Sequence, residues 1–499
     1  MAQMINPLAQ RRCGILLHPT SLPGPWIMGD FSHNAYRFIE FLAAAKQTVW
    51  QVLPLGPTHD DLSPYQCMST HAGNPLLISL DWMVDKGWLP DDVWEKAEDN
   101  VQWRFDTLAQ GCDVALMSLE SATRSRVEQF EKSESYWLDD YASYTVIKQL
   151  EDGAAWMDWP QQLRQHNRAA VDQLLRDYQP QLRRCKFEQY LFYSQWLELR
   201  RYANQLGVSL FGDLPICVSG DSADVWANRE CFTVDAEGNS KSVAGVPPDA
   251  FTAEGQRWGN PLFDWERLQA NGFGWWLDRL RTHFKLYDLV RIDHFRGLES
   301  YWEIPASSPT AVEGNWVEAP GAALLAQIAT EFGELPLVAE DLGIITPAVD
   351  RLREQFKLPG MKVLQFAFDG DMGNHHLPHN HTKDMVAYTG THDNDTTISW
   401  YQSLSDEHRH QVRCYLNCSD EDMPWALLRC AMMSVAQLAM LPMQDVLALG
   451  AGNRMNTPGT ITGNWSWRFD WHQLNDMLAS NLADLTHNYS RFPETDKKL

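Results

Sequence analysis

Three carboxylates in this 499-residue chain each close an apolar run that reads as a buried strand. They are Asp293 in Leu289-Val290-Arg291-Ile292-Asp293, Glu340 in Leu337-Val338-Ala339-Glu340, and Asp393 in Tyr388-Thr389-Gly390-Thr391-His392-Asp393. Three acids so placed suit chemistry at a glycosidic bond. Cleavage with retention takes one carboxylate as nucleophile and one carboxylic acid as proton donor, and a third anion can hold the sugar hydroxyls as the ring flattens toward an oxocarbenium ion. The residues therefore predict an enzyme acting on carbohydrate.

Strand geometry gives each acid a local chemistry. Residues two apart on a strand point to the same side, so Arg291 and Asp293 project together, and the guanidinium favours the ionised carboxylate that a nucleophile needs. Glu340 is expected opposite, near other anions whose repulsion keeps its proton on, as an acid catalyst requires. His392 and Asp393 offer a donor and an acceptor side by side for neighbouring sugar hydroxyls. A strand-end Asp alone is often a structural cap, so the weight lies in the three occurring together. The chain also carries 22 tryptophans. Indole stacks on the C–H face of a sugar ring while its N–H reaches a hydroxyl. Packing is the better reading for Trp82, Trp88, Trp94, Trp103, Trp137, Trp156 and Trp159, which lie in a region with helical character, whereas Trp258, in a loop, is the ligand candidate.

The elements that must position these groups are eight short, continuous apolar runs, of the kind found in parallel strands covered on both faces: 14–17, 49–53, 208–213, 289–293, 336–340, 361–366, 385–389 and 444–448. Eight such runs predict an α/β fold, a (β/α)8 TIM barrel, and several of them lead into polar residues where barrel active sites lie. The barrel is expected to be one catalytic unit over 1–499 with two insertions. Residues 81–207 read as mostly helical, with Phe187, Tyr190, Leu191 and Leu197 on one face, and 214–276, rich in Gly, Pro and Asn, read as ordered loops over the barrel mouth.

Charge narrows the partners. With 41 Lys and Arg against 65 Asp and Glu, the net charge of −24 repels nucleic acid and anionic membrane and favours a neutral substrate. Nine cysteines without a CxxC pair fit free thiols in a reducing cytoplasm. The apolar run Ile15–Leu17 is too short for a signal peptide, and no segment approaches the length of a membrane span.

Arg291-Ile292-Asp293-His294-Phe295-Arg296-Gly297, Val338-Ala339-Glu340-Asp341-Leu342-Gly343 and Tyr388 to Thr396 resemble signature segments of the 4-α-glucanotransferases, the amylomaltase or disproportionating-enzyme family related to the α-amylases. The likeness runs from about Gly14 to Asp470 and takes in Ser63-Pro64-Tyr65-Gln66, Ala72-Gly73-Asn74-Pro75, Gly212-Asp213-Leu214-Pro215, Gly245 to Phe263 and Arg454 to Thr460. It implies that Asp293 is the nucleophile, Glu340 the general acid/base and Asp393 the acid that stabilises the transition state. It also implies substrate contacts from Tyr65, Asp213, Arg291 and His392 near the cleaved bond, and from Asp249, Gln256, Trp258 and Asn464 in loops over the cleft. The implied partners are α-1,4-glucans and glucose, with no cofactor and no metal. Cys67, His71 and Leu298 depart from the family pattern, which bears on the shape of the donor side. Competing readings are an amylase-type α-1,4-glucan hydrolase, a barrel hydrolase using His375, His376, His379 and His381 as zinc ligands, and a glucan-binding protein without catalysis.

Overall fold

The computed structural model describes residues 7–248 and 252–492. A Cβ added at Gly14 would lie 2.1 Å from the Val49 carbonyl oxygen, so glycine is what lets strand β1 (Arg12–Leu16) press against β2 (Val49–Gln51). In chain order there follow β3 (Ser209–Pro215), β4 (Ser242–Val246), β5 (Gln256–Pro261), β6 (Leu289–Asp293), β7 (Ser300–Pro305), β8 (Asn315–Glu318), β9 (Leu337–Ala339), β10 (Gly360–Val363), β11 (Met385–Tyr388) and β12 (Leu438–Pro442).

Eight of these strands form one parallel sheet in the order β10-β11-β12-β1-β2-β3-β6-β9. The edge strands are tied to each other as well: Ala339 N–H donates to the Pro359 carbonyl at 2.8 Å, and Met361 N–H donates to the Asp341 carboxylate at 2.6 Å. The sheet thus curls round into the expected (β/α)8 barrel. Its interior is filled by side chains from successive strands, among them Val49, Phe211, Leu289, Val338, Val386 and Met440, all fully buried.

The eighth strand is not where the sequence placed it. Residues 444–448 fall in and after a short helix, Met443–Val446, and the strand is Leu438–Pro442 just before it. Asp445 explains the helix: its buried carboxylate accepts from Thr389 Oγ1, Thr397 N and Thr397 Oγ1, each at 2.7 Å, gathering donors from two other segments. The sixth run also ends early, since Leu364–Phe366 is a 3₁₀ turn.

Between β2 and β3 the chain forms helices that include Val101–Ser118, Ser135–Leu150 and the 27-residue Gln179–Gln205. On the last of these, Phe187 and Leu191 are buried and Tyr190 and Leu197 partly so. Buried amides bolt it to the barrel side: Gln189 donates to Gly73 O (2.9 Å) and accepts from Gly73 N (2.8 Å). Trp137, Trp156 and Trp159 are core residues, and Trp82, Trp88, Trp94 and Trp103 pack against that core. Residues 214–276 are more ordered than loops: β4 and β5 join β7 and β8 in an antiparallel sheet, β5-β4-β7-β8. All nine cysteines are free, and among the described residues no helix is long and apolar enough to cross a membrane.

Candidate active site

The predicted acids gather at the C-terminal ends of the barrel strands. Asp213 lies in β3, Arg291 and Asp293 in β6, Glu340 directly after β9, His392 and Asp393 beyond β11, and Tyr65 in the segment after β2. Arg291 is the hub. Its Nη1 donates to both oxygens of Asp213 (2.9 and 2.7 Å) and its Nη2 lies 2.8 Å from Asp293 Oδ1. The Tyr65 hydroxyl donates to Asp213 Oδ2 at 2.7 Å, the Tyr65 ring stacks on His392 (centroids 5.1 Å, planes 15° apart), and His392 Nε2 lies 3.3 Å from Asp393 Oδ2. An unbroken set of contacts therefore runs from Asp293 through Arg291, Asp213, Tyr65 and His392 to Asp393. Burial pushes the Asp213 carboxyl up, while neighbouring acids outweigh burial at Arg291 and hold its guanidinium firmly charged. With Arg291 and Tyr65 both donating into it, Asp213 is ionised in this pair.

Glu340 has a different setting. Its Oε2 accepts from His294 N–H at 2.6 Å and its Oε1 from Leu342 N–H at 2.9 Å. His294 adopts the left-handed conformation (φ 52°), one that His tolerates better than most residues, and the turn delivers its amide to Glu340. Burial, opposed by Arg291 and aided by the charge of Asp293, pushes the Glu340 carboxyl up to about 7. Desolvation, rather than the repulsion between anions that the sequence predicts, is the larger cause of the retained proton.

Asp393 goes the other way. The cleft walls disfavour its charge, yet His392 and Asn456 outweigh them and hold the carboxyl down to about 2. His392 is raised in return, because Asp393 overcomes the effect of its burial. Asp393 keeps 46% of its side chain open to solvent, so it faces the space a substrate would fill. Asn456 Nδ2 donates to Asp393 Oδ1 at 2.6 Å, and Arg454 Nη2 to the Asp393 carbonyl at 2.7 Å. Sequence reasoning assigned neither residue a role. The one available signal was their place in the segment Arg454 to Thr460.

Of the residues expected in loops, Gln256 and Trp258 stand instead on β5, where Trp258 lies edge-on to the His294 ring (4.8 Å, 87°) and donates its indole N–H to Gln256 Oε1 at 3.1 Å. Asn464 is spent on its own loop, accepting from Thr457 N (2.9 Å) and donating to Thr460 O (3.0 Å). Asp249 lies outside the described residues.

A sequence model of the family described as 4-alpha-glucanotransferase matches residues 17–474. The chain belongs to this family. It is 46% identical to the 4-alpha-glucanotransferase of Synechocystis sp. over 97% of this chain and 99% of that one, and 46% identical to the Thermus thermophilus enzyme over 92% and 94%. Among solved structures, an amylomaltase from Streptococcus agalactiae in complex with acarbose superposes with a TM-score of 0.93 at 35% identity, covering 97% of this chain and all of that one.

Of the three departures from the family pattern, His71 and Leu298 are buried and Cys67 is half-buried. Cys67 Sγ donates to Pro64 O at 2.9 Å, and His71 Nδ1 lies 2.8 Å from Thr282 Oγ1. They shape the wall behind Tyr65 and the turn after β6. Three histidines of the zinc reading are hydrogen-bonded within the fold, and the fourth, His375, meets the His376 ring at 4.3 Å: His376 Nδ1 accepts from Val363 N (3.1 Å), His381 meets Ser434 and the His376 carbonyl, and His379 meets Tyr415 and Met372. Among the described residues no group of three or more His, Cys, Asp or Glu side chains is placed to hold a metal ion.

Proposed function

We propose that Asp293, Glu340 and Asp393 carry the 4-α-glucanotransferase reaction of this chain as a double displacement on an α-1,4-glucan. Asp293 attacks the anomeric carbon while Glu340 gives its proton to the leaving glycosidic oxygen. The C1–O4 bond breaks, the reducing-end fragment departs, and a β-linked glucosyl ester forms on Asp293. A 4-hydroxyl of glucose or of another glucan then enters from the vacated side and loses its proton to Glu340. The new α-1,4 bond forms as the ester bond to Asp293 breaks, so configuration is retained.

The observation that carries this reading is the opposed setting of two neighbouring carboxyl groups. Asp293 is paired with Arg291 at 2.8 Å, whereas Glu340 is buried and held up to about 7, protonated enough to act as acid and weak enough to act next as base. Asp393, charged and open to the cleft, is suited to the hydroxyls of the flattened ring. Tyr65, Asp213, Arg291 and His392 hold the glucose unit being transferred. Gln256 and Trp258 on β5 and Asn464 in its loop line the approach to the cleft, and the family resemblance adds Asp249 as a further substrate contact. Trp258 packs edge-on against His294, whose backbone amide meets Glu340, and an acceptor sugar stacked there would exclude water, which favours transfer over hydrolysis. Every step uses side chains of this chain without a cofactor, and nine free thiols suit a reducing cytoplasmic setting.

Incubating the pure protein with maltotriose tests the reading. A ladder of longer glucans with release of glucose is expected; shortening alone would mark a hydrolase.

A further inference from the structure

The chain's 22 tryptophans are nearly all covered, and Trp316 is the most open of them, with 41% of its surface exposed. It stands on β8, an edge of the small antiparallel sheet, directly opposite Trp302 on β7. The two rings meet edge-on at 5.2 Å, and Trp302 is itself fixed, donating its N–H to Ala311 O at 3.0 Å. A Cβ at Gly314 would lie 2.5 Å from the Trp302 ring, so the turn is shaped around that indole. The Arg296 guanidinium lies 3.8 Å from the Trp316 ring centroid. One indole face and one edge are thus held by protein, while the indole N–H has no acceptor among the described residues. An indole so held is a stacking surface with a free donor beside it, the combination that recognises a sugar ring.

Its place ties it to the cleft. Arg296 is three residues beyond Asp293, and its Nη1 donates to the carbonyl of Ile344, four residues beyond Glu340. Ile344, whose carbonyl Arg296 holds, is itself exposed. Trp258 sits on β5 and Trp316 on β8, at opposite edges of the sheet, about 14 Å apart by three strand spacings.

We infer that Trp316 is an outlying platform for the α-1,4-glucan chain, binding a sugar several units from the bond being exchanged and favouring long chains over short ones. The inference rests on the reading of the cleft given above. A long glucan leaving the mouth of the barrel past the turns after β6 and β9 meets this indole, and a maltotriose held at the acids does not extend to it.

The test is Trp316→Ala, with Trp316→Phe as the conservative variant. With amylose as donor, Trp316→Ala should raise KM about tenfold with kcat unchanged, while KM for maltotriose stays within about twofold. Trp316→Phe should recover most of the loss. Calorimetric titration with an amylose of about twenty units, in a Glu340→Gln background, should show the same weakening without turnover. Equal effects on both donors, or no effect on amylose in either assay, would overturn the platform. A wild-type protein that extends neither donor would instead sink the reading of the cleft, and the titration would still decide the platform.

Discussion

Arg291 Nη1 bridges both carboxylate oxygens of Asp213, at 2.9 and 2.7 Å, with both side chains sealed from solvent. This pair orients the guanidinium whose other nitrogen meets Asp293. Removing one partner of a buried ion pair typically costs about 3–5 kcal/mol, because the other charge is left unmatched. Asp213→Ala should therefore lower the unfolding midpoint clearly in thermal or denaturant melts and reduce kcat/KM by at least about a hundredfold. A variant that melts like the parent would show that the pair does not organise the site.

Asn456 tests whether Asp393 must be charged. The Asp393 carboxyl lies at about 2 against an ordinary 3.8, so its charge is in place above the ordinary value and is lost as pH falls through about 2. Asn456→Asp sets a second carboxylate where an amide now donates at 2.6 Å, which raises Asp393. The acid limb of the rate profile should move to higher pH while the alkaline limb stays. An unmoved acid limb would remove Asp393 from the mechanism.

Glu340 sets the alkaline side. Raised from 4.5 to about 7, it is protonated below that value and loses its proton as pH rises through it. The kcat/KM for maltotriose, which reports the free enzyme, should fall above about pH 7. Glu340→Gln should reduce kcat on maltotriose by on the order of a thousandfold or more.

Trp258→Ala removes the ring that meets His294. The expected result is a higher KM for the acceptor and a larger share of hydrolysis, measured as reducing ends formed per bond transferred. An unchanged partition between transfer and hydrolysis would move acceptor binding elsewhere.

Seven of the eight barrel strands were legible because a parallel strand buried on both faces leaves an unbroken apolar run, and the acids were legible because each follows such a run. The eighth was misplaced where two apolar stretches adjoin. Pro442 ends the strand, and Asp445, inside the run 444–448, anchors a helical turn through Thr389 and Thr397. The small sheet was hidden for another reason. Its strands carry Gly245, Gly259 and Pro261, residues of turns, and β4 pairs with β7 across about sixty residues, a partnership that no local pattern records. Asn456 was missed because an amide that steadies a carboxylate from another loop has no signature of its own.

The central claim is that Asp293 forms a covalent bond to sugar. Glu340→Gln treated with α-maltotriosyl fluoride tests it directly, since fluoride leaves without needing an acid and the missing base stalls the second step. Mass spectrometry of the digested protein should find one maltotriosyl unit, on the peptide that contains Asp293. An adduct on any other residue, or none while fluoride is released in a burst, would contradict the account.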